Sequence, residues 1–259
     1  FDISLRTRSN IQSFFHLSLI YIIFFTKILA NLMNNIKKKI IAVGGGGFTH
    51  KSDPTLDQFI LSQCDKTKIR FGFLPTASND DPEKIKSFYK ELKKYDLQLS
   101  HFELCKNTNG FSEWIFKNDI IYVGGGNTSE MLKIWKKNDL TGIFKKAYNN
   151  GIILSGVSAG AICWFDWSLT DSLGPSYKPL QGINLLSGSC TPHSSEKNRL
   201  EKFKLEIKNQ NLPSGIAIDD GVAVLFVNGV AKEVCSTREN CDAYFVDNNN
   251  KVSLKEYIK

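Results

Sequence analysis

The segment Gly156-Val157-Ser158-Ala159-Gly160 has the residue types of a nucleophile elbow: a serine with small neighbours and a glycine two positions away on each side. Such a serine sits on a sharp, strained strand-to-helix turn with its hydroxyl presented outward, where larger neighbouring side chains would collide. The apolar residues 151–154 read as the incoming strand, and Ile162-Cys163-Trp164-Phe165 reads as the helix that follows. The first N–H groups of that helix would face developing negative charge. Ala159, directly after the serine, would supply one oxyanion-hole N–H, and the loop Gly124-Gly125-Gly126 a second. The pattern alone also fits a small-residue turn that only packs a helix on a sheet. A base and an acid are therefore needed elsewhere in the chain.

His193 is the histidine that follows Ser158, in Thr191-Pro192-His193 at the entrance of a helix beginning near Ser195. His50 and His101 read as surface histidines. Farther on, Ile218-Asp219-Asp220-Gly221 ends an apolar strand, where one carboxylate could orient the imidazole. Side chains alternate along a strand, so Asp219 and Asp220 point opposite ways and only one can meet the ring. Both could instead simply cap the turn before Gly221. The order serine, histidine, acid differs from the serine, acid, histidine order of lipases and esterases and argues against that class. Arg199, on the helix after His193, either binds a substrate carboxylate bidentately or stands in solvent near Glu196.

These groups need a scaffold, and the chain supplies an alternating one. Residues 39–43, 69–74, 98–103, 119–123 and 151–154 read as short strands, most of them apolar enough to be covered on both faces. Residues 81–95 between them carry Ile85, Phe88, Tyr89, Leu92 and Tyr95 at helical spacing behind an Asp81-Pro82 start. This alternation predicts an α/β fold with a mostly parallel sheet between helices. Beyond residue 180 come a polar-faced helix over 195–208 and the runs 215–218, 222–227, 230–234 and 243–246, which read as a closing strand and hairpin set. The glycine runs 44–47 and 124–126 each follow a strand, where loops of an open α/β sheet build ligand sites. Neither run fits a phosphate-binding fingerprint.

Composition narrows the field further. With 42% hydrophobic and 23% charged residues, the 259-residue chain can bury a sizeable core. The net charge of +7 is scattered, without a basic stripe, and predicts no nucleic-acid partner. The six cysteines fall singly, without zinc-ligand spacing, and read as free thiols; no metal and no cofactor are expected. Residues 14–25 are apolar behind two arginines, like a signal peptide, yet short for a membrane span. Met33, just ahead of the first strand, reads as the start of translation, with residues 1–32 upstream of it or a non-structural extension. The expectation is one cytoplasmic catalytic domain over 33–259, monomeric or homodimeric and away from membranes.

Several segments together resemble the dipeptidase E and cyanophycinase family of serine peptidases: residues 40–46, 73–78, 122–128 (YVGGGNT), 156–164 (GVSAGAICW), 170–172, Thr191-Pro192-His193 with Arg199, and 215–220 (GIAIDD). They occur in the family's order across nearly all of residues 36–227. The resemblance implies a three-layer αβα sandwich like that of class I glutamine amidotransferases (flavodoxin-like), with serine in place of their cysteine. It implies Ser158 as nucleophile, His193 as base, Asp220 where the family commonly has glutamate, and oxyanion donors at Ala159 and at Gly125 or Gly126. Arg199 and Asn127 are the candidate substrate-binding residues. Family members remove N-terminal aspartyl residues from dipeptides or degrade an aspartate–arginine polymer. The expected activity is thus hydrolysis of short peptides, Asp-X among the candidates, through an acyl-enzyme. The alternatives are a non-catalytic binding protein on the same scaffold and a hydrolase of another amino-acid amide or ester.

Overall fold

The computed structural model describes residues 36–258. The expectations for residues 1–32 lie outside the described residues. In chain order the elements are β1 (Lys39–Val43), α1 (Pro54–Ser62), β2 (Ile69–Leu74), α2 (Pro82–Leu92), β3 (Leu97–His101), α3 (Phe111–Phe116), β4 (Ile120–Val123), α4 (Thr128–Lys137), α5 (Thr141–Asn149) and β5 (Ile153–Val157). There follow α6 (Ala159–Ile162), β6 (Phe165–Thr170), β7 (Lys178–Gln181), β8 (Leu186–Thr191), α7 (Lys197–Lys208), β9 (Gly215–Ile218), β10 (Val222–Val227), β11 (Val230–Ser236), β12 (Ala243–Val246), β13 (Lys251–Ser253) and α8 (Leu254–Tyr257). No helix among the described residues is long and apolar enough to cross a membrane.

The main sheet has the order β11-β10-β1-β5-β4-β2-β3. Its β1-β5, β5-β4, β4-β2 and β2-β3 pairs are parallel, while β10 and β11 close one edge antiparallel. Strand alternation sorts the side chains between two layers of helices. Ile40 and Ala42 of β1 join Phe111, Met131, Trp135 and Phe144 from α3, α4 and α5 on one face. Ile41 and Val43 join Leu56 and Ile60 of α1 and Phe88 and Leu92 of α2 on the other. This is the three-layer α/β arrangement. Each fully buried Phe or Leu in these layers contributes roughly 1.5–3 kcal/mol. Of the residues whose spacing marked α2 in the sequence, Phe88 and Leu92 are buried, Tyr89 is exposed and Tyr95 lies past the helix end at Leu92; Asp81 caps the helix by accepting the Glu83 N–H at 2.9 Å.

A second sheet, β13-β12-β9-β8-β6-β7, was not legible as a sheet in the sequence. The runs read as one closing hairpin set divide between the two sheets: β10 and β11 extend the main sheet, while β9 and β12 belong to the second. The helix predicted through Phe165 stops at Ile162, and Phe165 starts β6. Trp164 and Phe165 are buried against Trp135 and Phe226, so tertiary packing overrides the local reading. The strand predicted over 151–154 instead runs from Ile153 to Val157. Its Ser155 is fully buried and bonds through Oγ to the Ile121 carbonyl at 3.3 Å.

Candidate active site

Three neighbouring strands of the main sheet deliver their carboxyl ends to one place. β5 lies between β1 and β4, with Val157 paired to Val43 and Gly156 to Val123. The glycine loop after β1, the glycine loop after β4 and Ser158 after β5 are thus side by side, at the edge where open α/β sheets form their crevice. In the second sheet β8 and β9 are parallel neighbours, and their carboxyl ends carry His193 and the Asp219-Asp220 pair. A bridge between Gly45 and Asp220, with the Gly221 N–H donating to the Gly45 carbonyl at 2.9 Å, ties the two sheets at this point.

Ser158 has φ 54° and ψ −113°, a strained conformation for a residue with a side chain, and the surrounding packing holds it there. Its N–H donates to the Val43 carbonyl at 3.0 Å, while its own carbonyl accepts from the Ala161 and Ile162 N–H groups. The flanking glycines have a steric cause. A Cβ on Gly156 would lie 2.4 Å from the Gly160 carbonyl oxygen, and one on Gly160 would lie 2.1 Å from the Val123 carbonyl oxygen. The elbow packs directly on β4, leaving no room for a methyl group at either position.

Ser158 Oγ lies 2.9 Å from His193 Nε2, and His193 Nδ1 lies 2.6 Å from Asp220 Oδ1. His193 itself has φ 50°, and its side chain is 20% exposed. The hydrogen bond from His193 holds the Asp220 carboxyl below its ordinary value, against the opposing effect of partial burial. An ionised carboxylate only accepts, so Nδ1 carries the hydrogen and Nε2 turns its lone pair toward the serine hydroxyl. Ser195 Oγ donates to the other carboxylate oxygen of Asp220 at 3.2 Å. Asp219 is turned away and buried, accepting from Ser194 Oγ at 2.6 Å and from the Asp242 N–H at 3.1 Å. Of the two carboxylates, Asp220 therefore meets the imidazole. Aspartate reaches it because Gly45 brings backbone, without a side chain, against the carboxylate: a Cβ there would lie 1.8 Å from Asp220 Oδ1.

Other expected positions fall at varied distances from this chain of groups. Ala159 opens α6, but α6 is a single turn, so any help to an oxyanion comes from local N–H groups rather than from a long helix dipole. Gly125 lies against the serine, with a built Cβ 3.4 Å from Ser158 Cβ. Gly126, at φ 145°, turns its Cβ position onto the Ala77 carbonyl. Asn127 spends its side-chain oxygen capping α4, accepting the Glu130 N–H at 2.9 Å. Arg199 is not a solvated arginine. Its side chain is 5% exposed, bonded to Asp171 at 3.1 Å and to Glu196 at 3.3 Å, with the Tyr177 ring centroid 4.5 Å from its guanidinium carbon.

A pocket of about 240 Å³ opens beside the serine, lined by Ser158, Gly124, Gly125, Gly126, Phe73, Ser78, Thr49, His50 and Lys84. His50 and Lys84 were missed as site residues. His50 follows the first glycine run, on the loop that leaves β1, and that position was the available signal. Its Nδ1 lies 3.1 Å from the Gly46 carbonyl oxygen. Burial is the main cause that lowers its pKa, and the nearby His193 and Lys84 add to the effect.

Comparison with known proteins identifies the family. The model of peptidase family S51 matches residues 40–234. The uncharacterized peptidase YgaJ of Bacillus subtilis (strain 168) is 42% identical over 212 residues, covering 81% of this chain and 92% of that protein. Peptidase E of Haemophilus influenzae is 25% identical over 205 residues, covering 73% of this chain and 89% of the relative. Among solved structures, a peptidase from an acI-B1 Actinobacterium shares the fold with a TM-score of 0.61 at 16% identity, over 84% of this chain and 94% of that one. With the family model spanning the strands that carry Ser158, His193 and Asp220, the chain belongs to peptidase family S51 and is a serine peptidase.

Proposed function

We propose that the protein hydrolyses short peptides through an acyl-enzyme, with Ser158 as nucleophile, His193 as general base and Asp220 as the acid that orients it. The observation that carries this reading is the unbroken chain from Ser158 Oγ to His193 Nε2 at 2.9 Å and from Nδ1 to Asp220 at 2.6 Å. As Ser158 Oγ bonds to the substrate carbonyl carbon, its proton passes to Nε2. The carbonyl oxygen becomes an oxyanion, received by the N–H groups of Ala159 and Gly125. His193 then returns the proton to the leaving amine, the C–N bond breaks, and the acyl group stays on Ser158. Water, deprotonated by the same imidazole, releases the acid and restores the hydroxyl. The small pocket and the relatives named peptidase E support dipeptides, including Asp-X, as substrates.

The test pairs covalent labelling with turnover. Wild-type protein should react with a fluorophosphonate and cleave members of a panel of Asp-X, Glu-X and neutral dipeptides. Ser158→Ala should do neither, because losses on removing a triad nucleophile reach several orders of magnitude. Unchanged turnover in Ser158→Ala would sink the assignment.

A further inference from the structure

The pocket beside Ser158 is small, below the roughly 300–1,000 Å³ of sites that engulf drug-sized ligands, so it suits one short group rather than a long chain. Its titratable lining residues besides the serine are His50 and Lys84, and no acidic side chain lines it. Lys84 lies in the first turn of α2, exposed, and forms no ion pair among the described residues, although its neighbour Lys86 pairs with Glu83. Arg199, the other cation considered for substrate recognition, already faces the carboxylates of Asp171 and Glu196. Its positive charge is thus already balanced by two carboxylates.

His50 has a different capacity. With Nδ1 against the Gly46 carbonyl and Thr49 Oγ1 at 3.0 Å, its ring is oriented by its own loop. It lines the pocket together with Lys84, the pocket's one ammonium group. A lysine ammonium is a compact charge on a flexible stem, suited to following a carboxylate whose position varies between substrates.

We propose that Lys84 is a specificity-determining residue: it binds a carboxylate of the substrate in the pocket lined by His50, Phe73 and Gly124, next to the Ser158 hydroxyl. The carboxylate can come from an acidic N-terminal side chain or from the C-terminus of a dipeptide. This inference rests on the peptidase reading for its substrate class, so its test is made to work without turnover. Affinity for Asp-Leu, Ala-Leu and their C-terminal amides is measured by calorimetry in the Ser158→Ala background, with and without Lys84→Met and Lys84→Arg. Lys84→Met keeps the stem and removes the charge.

Lys84→Met should weaken binding of carboxylate-bearing ligands roughly two- to fivefold, the range for an exposed charged pair. It should leave the ligand lacking the relevant carboxylate unchanged, and Lys84→Arg should restore most of the loss. A loss that follows acid against amide assigns the C-terminal carboxylate; one that follows Asp against Ala assigns the side chain. Either result supports the proposal. Equal effects on all four ligands, or no effect on any, would overturn it. In the wild-type background, Lys84→Met should raise KM more than it lowers kcat and should not slow labelling by an uncharged fluorophosphonate. A protein that binds these ligands as described yet neither labels nor cuts would disprove the peptidase reading while leaving the Lys84 subsite standing.

Discussion

Replacing Gly45 by alanine probes the contact on which the His193–Asp220 pair depends. A Cβ at this position would lie 1.8 Å from Asp220 Oδ1 and 3.0 Å from His193 Cε1, whereas ordinary contact begins near 3.4 Å. The carboxylate oxygen must therefore retreat by roughly 1.6 Å, the difference between 3.4 and 1.8 Å. Its bond to His193 Nδ1 is 2.6 Å long, and bonds of this kind are lost beyond roughly 3.2 Å. Rotating the carboxylate instead would disturb its second bond, from Ser195 Oγ at 3.2 Å. A misplacement of about 1 Å in a catalytic array costs roughly 10²-fold, and loss of the correct imidazole tautomer about 10⁴-fold. Gly45→Ala should therefore lower kcat/KM by roughly 10²- to 10⁴-fold on any dipeptide the wild type cuts, with fluorophosphonate labelling slowed in parallel. Circular dichroism should show a folded protein, since the clash falls on side chains at the crevice rather than in the core. Gly142→Ala is the control, because a Cβ there meets nothing within 4 Å. If Gly45→Ala folds and keeps activity within about threefold of wild type, the close approach of the glycine loop does not set the geometry of the base.

Asp220→Asn should lower turnover by on the order of 10⁴-fold. Asp219→Asn should instead keep turnover within a few fold and cost roughly 1–3 kcal/mol in urea unfolding, because Asp219 is buried and holds Ser194 and the Asp242 N–H; the opposite pattern would move the orienting role to Asp219. The bond from His193 keeps the Asp220 carboxyl below 3.8, so the stability it adds is fully present above about pH 4 and is lost as pH falls through the folded value. The difference in unfolding free energy between wild type and Asp220→Asn should shrink on acidification, and a difference that grew would contradict the assignment. Burial raises Asp57 from 3.8 to about 6, although it accepts the Phe48 N–H at 3.1 Å. Here the folded state holds the extra proton, so stability falls as pH rises from about 4 to 6 and stays lower above. Asp57→Asn should gain on wild type by on the order of 2–3 kcal/mol between pH 4 and 7; a constant difference across that range would show that Asp57 does not titrate as described.

Much of the chemistry was local enough to be read from the chain. The strand, elbow and glycine sequence around Ser158 is specified by neighbours in sequence, because small residues at 156 and 160 are required wherever a turn packs tightly on the next strand. Alternation of apolar runs with helical spacing likewise marks a parallel α/β sheet, since burial on both faces makes the strands continuously apolar. Choosing between Asp219 and Asp220 from the chain alone took strand alternation and a family pattern. In the folded protein the choice follows from partners far away in sequence: Ser194 and Asp242 claim one carboxylate, and Gly45 and His193 receive the other. The second sheet and the pocket residues His50 and Lys84 were not legible. Their neighbours come from β1, β2, β4, β5 and the start of α2, and side-chain periodicity reports which face a residue presents, not what stands opposite it. Local sterics and patterning determine the elbow, while long-range packing of two sheets determines which acid, which loop and which cation surround it.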